Sequence, residues 1–340
     1  MHTLPGFWHA AATLSGRLDL SIPLQAGQPV DSLSAAQLSE SGICSRHMAR
    51  LGRAPTIEAG EAFLLLHDPE YPSRLRHIPY APPVLFYRGN RSLLNEPSVA
   101  IVGARRCTGH GRSMASTLAT EVVSAGLVTV SGLAYGIDMA AHSARPDRTI
   151  AVLGQGLAQS TKGRKGQSIQ EIVDAGGLVV SEFMPNFPAS KATFPQRNRV
   201  ISGIAMGTIV IEAGMRSGSR ITARHTLNQG RELMVVPGHP MDEGSKGCNE
   251  LLFHGAGLVR DGSDVFFHLG IEALETPTRR PTCPIQRAVL DALTSGQTLD
   301  HIVAITGQSV PEAIVAVAEL ELTGLVSRLP GDRLCLRSTP

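Results

Sequence analysis

The sequence predicts an α/β protein with a doubly wound, mostly parallel sheet, flanked by a small N-terminal helical domain and a C-terminal winged helix. Between residues 99 and 260, short apolar runs alternate with glycine-punctuated amphipathic segments, as βαβ units do. The runs are apolar at most positions, which indicates a Rossmann-like sheet covered by helices on both faces. Beyond residue 284, three stretches with helical apolar spacing precede a hairpin pattern, which is typical of a winged helix-turn-helix.

These patterns divide the 340 residues into four parts. Residues 1–66 carry short helical patterns and predict a small helical (SAM-like) domain, and residues 67–275 hold the sheet. A proline-rich linker at 276–284 leads to the winged helix at 285–340. Five prolines between residues 67 and 90 exclude a long helix, so we expect a rigid extended segment over the edge of the sheet.

Seven apolar runs are the predicted strands of the sheet. Each is short, and glycines follow several of the intervening segments where the helices should end. The runs are Val99–Val102, Leu127–Ser131, Thr149–Leu153, Leu178–Ser181, Thr208–Ile211, Leu233–Val236 and Leu258–Val259.

The composition is that of an ordinary globular protein. Hydrophobic residues make up 42% of the chain, no apolar run approaches the roughly 18 residues of a membrane span, and the first residues lack the pattern of a secretory signal. We therefore expect a soluble, cytoplasmic protein with no membrane partner. The five cysteines are scattered singly, which favours reduced, buried thiols over disulfides or a zinc site. No motif calls for a metal or a cofactor.

Positive charge is concentrated in the middle of the chain. Lysine and arginine outnumber aspartate and glutamate by 23 to 18 in residues 67–283, whereas acids are in excess by 5 to 4 in residues 1–66 and by 6 to 4 in residues 284–340. The middle part is therefore the favoured site for a polyanion, because phosphate contacts supply most non-specific affinity for nucleic acid. The modest excess predicts a localised groove.

The run from Phe194 to Arg224 holds five arginines and a single acid, Glu212. Ser217, Gly218 and Ser219 mark a strand-to-helix junction, and the N–H groups of a helix N-terminus bind anions. Guanidinium groups add two-pronged donors that match phosphate oxygens. The run predicts a phosphate site, with local salt bridges as the alternative for any one arginine. The arginines are Arg197, Arg199, Arg216, Arg220 and Arg224.

A second basic element is the turn after the first predicted parallel strand, from Gly103 to Gly111, which carries Arg105 and Arg106. Its glycine spacing does not fit the dinucleotide fingerprint, and the chain has no P-loop motif, so NAD binding and P-loop ATPase activity are disfavoured. The glycines permit close approach of a phosphate, and the arginines would hold it. A tight turn with exposed arginines is the alternative.

A third basic element, Lys162, Arg164 and Lys165, follows the strand at 149–153. Because the carboxyl ends of parallel strands share one edge, the three basic elements converge there. A chain of phosphates would use all three together, which favours a nucleic-acid strand. Three phenylalanines nearby either stack on bases or pack in the core: Phe183, Phe187 and Phe194.

Acidic residues leave further alternatives open. Asp138 and His142 have the helical i, i+4 spacing of a metal or catalytic pair, but a third ligand is missing and Asp138 is placed to cap its helix. Glu212 ends an apolar strand, where a structural role beside the arginines is favoured over a catalytic one. We assign no catalytic residue. The third helix of the winged helix carries Glu312, Glu319 and Glu321 without a basic residue, so a protein contact is at least as well supported as DNA reading.

The longer motifs resemble those of the DNA-processing protein A family (DprA, also called Smf). The resemblance extends from about His67 to Asp264 and is carried by VAIVGARRCTGHG, SGLAYGIDMAAH, FPQRNRVISG, EAGMRSGSRITAR, GRELMVVPG and GCNELLFHGAG. It implies a non-enzymatic protein that binds and protects single-stranded DNA and loads the RecA recombinase onto it during natural transformation.

The resemblance also implies roles for particular residues. Arg105 would be a principal phosphate contact, and the basic loop would replace a Tyr-Pro and an Asn that the family usually has there. The DNA-binding set that follows is Gly103, Arg105, Arg106, Lys162, Arg164, Lys165, Arg197, Arg199, Ser217, Gly218, Ser219 and Arg220. The family forms homodimers through the late part of the sheet domain, where the candidates are Leu251, Leu252, Phe253 and Leu258.

An enzyme is the competing class. Related-looking Rossmann folds include nucleotide phosphoribohydrolases, whose P-G-G-x-G-T-x-x-E motif holds the phosphate and supplies an acid. The segment from Ile204 to Glu212 lacks the paired glycines and displaces the acid by one residue, which disfavours hydrolysis.

Overall fold

The structure is a computed structural model that describes residues 62–160, 163–271, 283–293, 297–322, 325–329 and 333–336. These residues belong to two compact units, one within 62–271 and one within 283–336. The predicted N-terminal helical domain lies outside the described residues, except for its last five.

One nine-stranded sheet organises the first unit. Its strands are β1 (Ala62–Leu65), β2 (Val84–Gly89), β3 (Ser98–Gly103), β4 (Val128–Ser131), β5 (Thr149–Leu153), β6 (Leu178–Ser181), β7 (Gly207–Ile211), β8 (Glu232–Val235) and β9 (Gly257–Leu258). Their order across the sheet is β1-β2-β6-β5-β4-β3-β7-β8-β9. The strands β3 to β9 pair in parallel, whereas β2 is antiparallel to both of its neighbours. The predicted mostly parallel sheet is thus confirmed.

The seven predicted strands are all present, with ends shifted by no more than one residue. The sequence analysis missed β1 and β2. Residues 62–65, assigned there to a helical domain, pair instead with β2, Leu64 opposite Leu85, so the boundary at residue 66 is wrong. A four-residue apolar run fits a helix or a strand equally well, and only its partner strand decides between them.

Helices cover both faces of the sheet. They are α1 (Ser73–Arg76), α2 (Gly109–Ser124), α3 (Ile137–Ala144), α4 (Gly163–Asp174), α5 (Thr193–Ile204), α6 (Ser219–Asn228), α7 (Lys246–Phe253) and α8 (Gly262–Leu269). Successive residues of β3 alternate between two cores: Val99 and Ile101 pack with α2, α3 and α8, while Ala100 and Val102 pack with α5 and α6. Burial on both faces explains why these strands are apolar at nearly every position.

The direction of winding reverses between β3 and β7. From β3 the chain proceeds through β4 and β5 to β6, and then returns to place β7 on the other side of β3. The helix after β3 packs on one face of the sheet and the helix after β7 on the other. The two connections therefore diverge and leave a crevice at the carboxyl ends of the strands, where doubly wound sheets bind their ligands.

The second unit is a winged helix. It contains α9 (Pro284–Ala292), α10 (Leu299–Thr306) and α11 (Val310–Leu322), and a sheet of β10 (Gln297–Thr298), β12 (Arg333–Leu336) and β11 (Val326–Leu329) in that spatial order. Gly307, at φ +66°, ends α10. Within the described residues no single helix is long and apolar enough to cross a membrane; α10 and residues Val310–Glu321 reach that length and composition only together, across a bend of 115°.

The four cysteines in the described residues are free thiols. Cys248 is buried against the backbone of Ala213, and burial raises the pKa of its thiol to about 11. Cys107, Cys283 and Cys335 are only partly buried, so the expectation of fully buried thiols is wrong for these three. Cys44 lies outside the described residues.

Candidate functional site

A cleft of about 670 Å³ opens at the carboxyl ends of β3 and β7, where the winding of the sheet reverses. The turn after β3, the junction after β7 and the first turns of α5 form its walls. Seven of the twelve predicted DNA-binding residues line it: Gly103, Arg105, Arg106, Arg197, Ser217, Gly218 and Ser219.

The turn that carries Arg105 is fixed from both sides by the backbone. The Ala104 N–H donates to the Glu212 carbonyl over 2.9 Å, and the Ile137 N–H donates to the Ala104 carbonyl over 3.2 Å. Gly136 lies against the same turn at φ +87°, where a Cβ would stand 2.3 Å from the Ala104 oxygen. The exposed Arg105 side chain is thus presented by a turn that has little freedom to move.

The Arg105 guanidinium lies over the ring of Phe194, with Cζ 5.3 Å from the ring centre. Stacking on an aromatic face leaves the N–H edges of guanidinium available to an anion. Of the other two phenylalanines, Phe183 is buried and stacks on the partly exposed Phe187 at a centroid distance of 5.3 Å. Core packing is therefore the role of Phe183, and Phe194 serves as the platform for Arg105.

Arg197 forms the floor of the cleft and is 4% exposed. Its Nη1 donates to the Gly132 carbonyl over 2.7 Å and also to the Val152 carbonyl, so it bridges the carboxyl ends of β4 and β5. The buried Asp138 carboxylate lies on the same side of Gly132 and is its counter-charge. Burial lowers the pKa of Arg197 to about 10 and raises that of Asp138, and the attraction between the two opposes both shifts.

Lys165 joins this group from the first turn of α4. Burial, together with the positive charges of Arg197 and Arg105, lowers the pKa of its ammonium group to about 8. An anion bound beside these three cations would stabilise the group, because it would offset their repulsion. Lys162 lies outside the described residues, and the role of the Arg164 side chain stays a prediction.

The N-terminus of α6 closes the cleft on the β7 side. Its cap residue, Gly218, brings no capping side chain, and the hydroxyl oxygens of Ser217 and Ser219 lie 2.7 Å apart beside it. Asn198 of α5 donates its side-chain N–H to the Gly218 carbonyl over 3.3 Å and holds the junction in place. A helix terminus flanked by hydroxyls and arginines favours phosphate oxygens.

Glu212 has a structural role. At φ +52°, its carboxylate accepts the Thr108 N–H over 2.9 Å and the Thr108 hydroxyl over 2.9 Å. The Thr108 Oγ1 in turn accepts the Gly111 N–H over 3.0 Å and caps α2. The carboxylate thus occupies the N-terminus of α2. It contacts Thr108 rather than the arginines expected from sequence.

Gly103 has a packing role rather than the expected one of admitting a phosphate. A Cβ at this position would stand 1.9 Å from the Ile211 carbonyl oxygen and 2.6 Å from Cγ1 of Ile137. The missing side chain is therefore required for β7 and α3 to approach the end of β3. The phosphate side of the turn depends on Arg105 and Arg106.

Two predicted phosphate contacts turn away from the cleft. Arg199 is buried, with its Nη2 2.6 Å from Oε2 of the fully buried Glu182. Two residues along a helix turn a side chain by about 200°, so Arg199 faces away from the direction of Arg197. Arg220 donates to the Met215 carbonyl over 2.7 Å and braces its own loop. The prediction of a phosphate contact is wrong for Arg199 and is not supported by the position of Arg220.

Among the lining residues that were not in the predicted set are two cationic side chains and an amide that could contact an anion: Lys191, Arg216 and Asn198. Arg216 belongs to the arginine run and immediately precedes Ser217, so the sequence carried a signal for it. Asn198 follows Arg197 directly, but its contact with Gly218 depends on the packing of α5 beside α6. Lys191 stands in a short polar stretch before α5, and no spacing rule marks it.

The predicted self-association patch divides into two pairs. Leu251 and Leu252 are partly buried and pack against the core, a role that alternating apolar residues fit as well as they fit an interface. Phe253, 85% exposed, and Leu258 of the edge strand β9 face solvent, as does Phe267 of α8. The inward face of α7 takes the two leucines, which leaves Phe253 at its exposed end.

Asp138 and His142 do not converge on a common ligand. The Nδ1 of His142 lies 2.7 Å from Oγ1 of Thr149, while Asp138 faces Ala134 and Arg197. Among the described residues, no group of three or more His, Cys, Asp or Glu side chains is placed to hold a metal ion.

The chain matches the family profile of DNA recombination-mediator protein A over residues 62–270 and that of the DprA winged helix domain over residues 273–332. It is 32% identical over 331 residues to Protein Smf of Escherichia coli K12, covering 90% of this chain and 88% of that protein. It is 42% identical over 207 residues to the DNA processing protein DprA of Streptococcus pneumoniae R6, covering 60% and 72%.

Solved structures agree with these matches. The X-ray structure of DNA processing protein A from Streptococcus pneumoniae superposes with a TM-score of 0.65 at 33% identity, covering 78% of this chain and 98% of that one. A DNA processing protein A from Helicobacter pylori, described for its single-stranded DNA binding mode, superposes with a TM-score of 0.54 at 31% identity, covering 62% and 95%. The resemblance seen in the sequence motifs is confirmed.

Arg199 and Arg105 should differ clearly in how much each contributes to the stability of the protein. Arg199→Ala leaves the buried Glu182 carboxylate without its ion pair and should lower the free energy of unfolding by about 3–5 kcal/mol. Arg105→Ala, the matched control, should change it by less than about 0.5 kcal/mol, because the side chain is exposed. Urea unfolding measures both, and equal losses for the two variants would contradict the assigned roles.

Proposed function

The chain belongs to the DNA recombination-mediator protein A family, and from that premise we propose that it binds single-stranded DNA without catalysing a reaction. We further propose that it protects incoming single strands and loads the RecA recombinase onto them in natural transformation. The relative from Helicobacter pylori binds single-stranded DNA, and the cleft of this chain has the chemistry for the same ligand.

The observation that carries the proposal is that Arg105 and Arg197 line one cleft together with the N-terminus of α6. Lys165 lies close enough to both arginines for their charges to lower its pKa. These groups contact phosphate but do not read the edges of bases, so they suit a strand of any sequence. The exposed Arg106 borders both this cleft and a neighbouring one of about 760 Å³, which gives the phosphate chain a way out of the first cleft. A free nucleotide would use only part of this surface.

The competing phosphoribohydrolase requires a free acid beside the phosphate site. Glu212 is the acid at the end of β7, and both of its carboxylate oxygens accept hydrogen bonds from Thr108. Incubation with AMP, followed by an assay for free adenine, tests this alternative directly. Release of adenine at a turnover rate abolished by Glu212→Gln would contradict the non-catalytic proposal.

Arg105→Ala should weaken binding of a labelled oligonucleotide by about tenfold or more, since it removes a charge-assisted contact with phosphate. The slope of log affinity against log salt should fall by about one, as for the loss of a single phosphate contact. Fluorescence anisotropy over a salt series measures both quantities.

Arg148→Ala is the matched control for that measurement. Arg148 lies at the amino end of β5, whereas the cleft lies at the carboxyl ends of the strands, and it pairs with Glu96. Its removal should therefore leave the affinity for DNA unchanged. Equal weakening by the two substitutions, or no binding by the wild type at low salt, would sink the proposed function.

Binding should weaken as the pH rises above about 8, the value to which burial and neighbouring cations lower the pKa of Lys165. A phosphate favours the charged ammonium and raises its pKa in the complex, so binding takes up a proton. Affinity is therefore full below pH 7 and falls by at most about tenfold per pH unit as Lys165 loses its proton. Titrations with oligo-dA are suitable, because adenine has no ring N–H proton to lose in this range.

Lys165→Arg isolates this effect. Guanidinium stays protonated throughout the range, so the variant should bind with an affinity that does not change between pH 7 and 9. A pH dependence that persists in Lys165→Arg would assign the titration to another group.

We also propose that the protein forms a homodimer through the surface around β9. Phe253, Leu258 and Phe267 expose apolar area beside an edge strand whose outer backbone groups lack a strand partner within the sheet. Exposed apolar groups beside an open strand edge are typical of association sites. Sedimentation velocity measures the mass in solution, and a monomer at all concentrations would contradict the proposal.

For the winged helix we propose a protein contact rather than a DNA contact. Four exposed apolar side chains lie on α10 and α11: Ile305, Val310, Ile314 and Val315. The same surface carries Glu312 and no basic residue of α11, which opposes the phosphate backbone. An apolar surface with acidic neighbours suits a partner segment that is apolar and basic.

Substitution of both Ile314→Asp and Val315→Asp should leave affinity for single-stranded DNA unchanged, because the phosphate site lies in the other unit. It should slow the assembly of RecA on DNA bound by this protein if the surface contacts the recombinase. The DNA-dependent ATP hydrolysis of RecA measures how fast the recombinase assembles. Loss of oligonucleotide affinity in the double variant would show that α11 contacts DNA.

A further inference from the structure

A crevice between α3 and α4 lies beside the phosphate cleft and is not used by the contacts described so far. It consists of two adjoining hollows of about 220 and 280 Å³, which share Met139, Ser143, Ser168 and Glu171. His142 lines the first hollow and Tyr135 the second. Together they fall within the size range of small-ligand sites, roughly 300–1,000 Å³.

The crevice is continuous with the cleft through two elements. Tyr135 precedes Gly136, whose α-carbon faces the Arg105 carbonyl so closely that a Cβ would stand 2.7 Å from that oxygen. Lys165, which feels the charges of Arg105 and Arg197, is on α4 three residues before Ser168 of the crevice, so the two side chains lie on the same face of the helix. A strand held at Arg105 and Lys165 therefore passes the mouth of the crevice.

Tyr135 is an aromatic side chain that has no role in the core. It is 62% exposed, although tyrosine rings commonly bury much of their apolar area. An exposed ring beside a phosphate-binding turn is placed to stack on a base, because every base offers a π-face.

His142 supplies a hydrogen-bond acceptor at the inner hollow. The Thr149 hydroxyl donates its proton to the Thr129 carbonyl over 3.1 Å, so Nδ1 of His142 must be the donor to Thr149 Oγ1. The ring is 1% exposed, and burial with the charge of Arg197 lowers its pKa to about 3, which leaves Nε2 unprotonated. This Nε2 has no hydrogen-bond partner among the described residues.

We propose that the crevice receives one nucleobase of the bound strand, stacked on Tyr135, and that it prefers bases with an exocyclic amino group. This inference rests on the proposed binding of single-stranded DNA and adds a base-selective subsite to it. Nε2 of His142 and the carboxylate of Glu171 both accept hydrogen bonds, so an amino group satisfies them. A carbonyl oxygen in the same position would face their lone pairs.

Oligo-dC and oligo-dU test the preference for an amino group, since cytosine has an amino group where uracil has a carbonyl. The two bases differ little in stacking or size. Anisotropy should show the wild type binding oligo-dC more tightly than oligo-dU by about three- to tenfold, the range of one net hydrogen bond. Tyr135→Ala should weaken oligo-dC by at least about fivefold through lost stacking, and the preference should disappear. Tyr135→Phe, the matched control, keeps the ring and should bind as the wild type does.

Glu171→Gln tests the acceptors without touching the buried histidine. It replaces one acceptor oxygen by a donor, so the preference for oligo-dC should shrink while affinity for oligo-dU rises or stays the same. Equal affinity of the wild type for both strands, or a Tyr135→Ala variant that binds like the wild type, would overturn the subsite. The proposed function fails separately, if wild-type affinity is absent or insensitive to Arg105→Ala.

Discussion

The close approach of β3 and β7 is the constraint on which the rest of the site depends. The two strands run in register from Val99 opposite Gly207 to Gly103 opposite Ile211, and the last pair leaves no space for a side chain on Gly103. Their connections then diverge to opposite faces of the sheet, which creates the cleft. Glu212 adopts a positive φ at this point and binds Thr108, so the end of one strand fixes the turn after the other. The position of the Arg105 backbone therefore follows from the packing of these strands rather than from contacts of the Arg105 side chain.

The positively charged side chains of the cleft lie close enough to repel one another. Arg197 is buried beside Asp138 and also feels the charge of Glu182, which pairs with Arg199, while Arg105 and Lys165 add positive charge nearby. Burial of a cation costs free energy that these acids offset only in part. A phosphate would supply the missing negative charge and strengthen every pair in the cluster. The fold keeps these groups close by bonding Arg197 to backbone carbonyls of β4 and β5, which do not neutralise it.

The sequence predicted the parallel sheet almost residue by residue because strands buried on both faces are short, apolar and separated by glycines. It missed β1 and β2, since an antiparallel pair at an edge leaves only two brief runs that periodicity does not resolve. It also anticipated that the turn at Arg105 and the junction at Ser217 lie at one cleft, because strand ends in a doubly wound sheet determine where they converge. The sequence could not show that Arg197 and Arg199 have different roles, because their directions depend on how α5 is rotated about its axis. It also could not predict that Glu212 would bind Thr108 rather than an arginine.

Arg197 and Arg199 show why composition alone overstates a binding site. Both belong to one helix, both are buried, and both stand two residues apart in the same basic run. Arg199 is matched by a buried carboxylate at 2.6 Å, so its charge is already compensated inside the protein. Arg197 is bonded mainly to neutral carbonyls and lines the cleft, so its charge remains available to a ligand. What leaves an arginine of this run available for the proposed phosphate contact is therefore the lack of a fully paired acid. That property depends on the packing of α5 on the sheet rather than on the number of arginines.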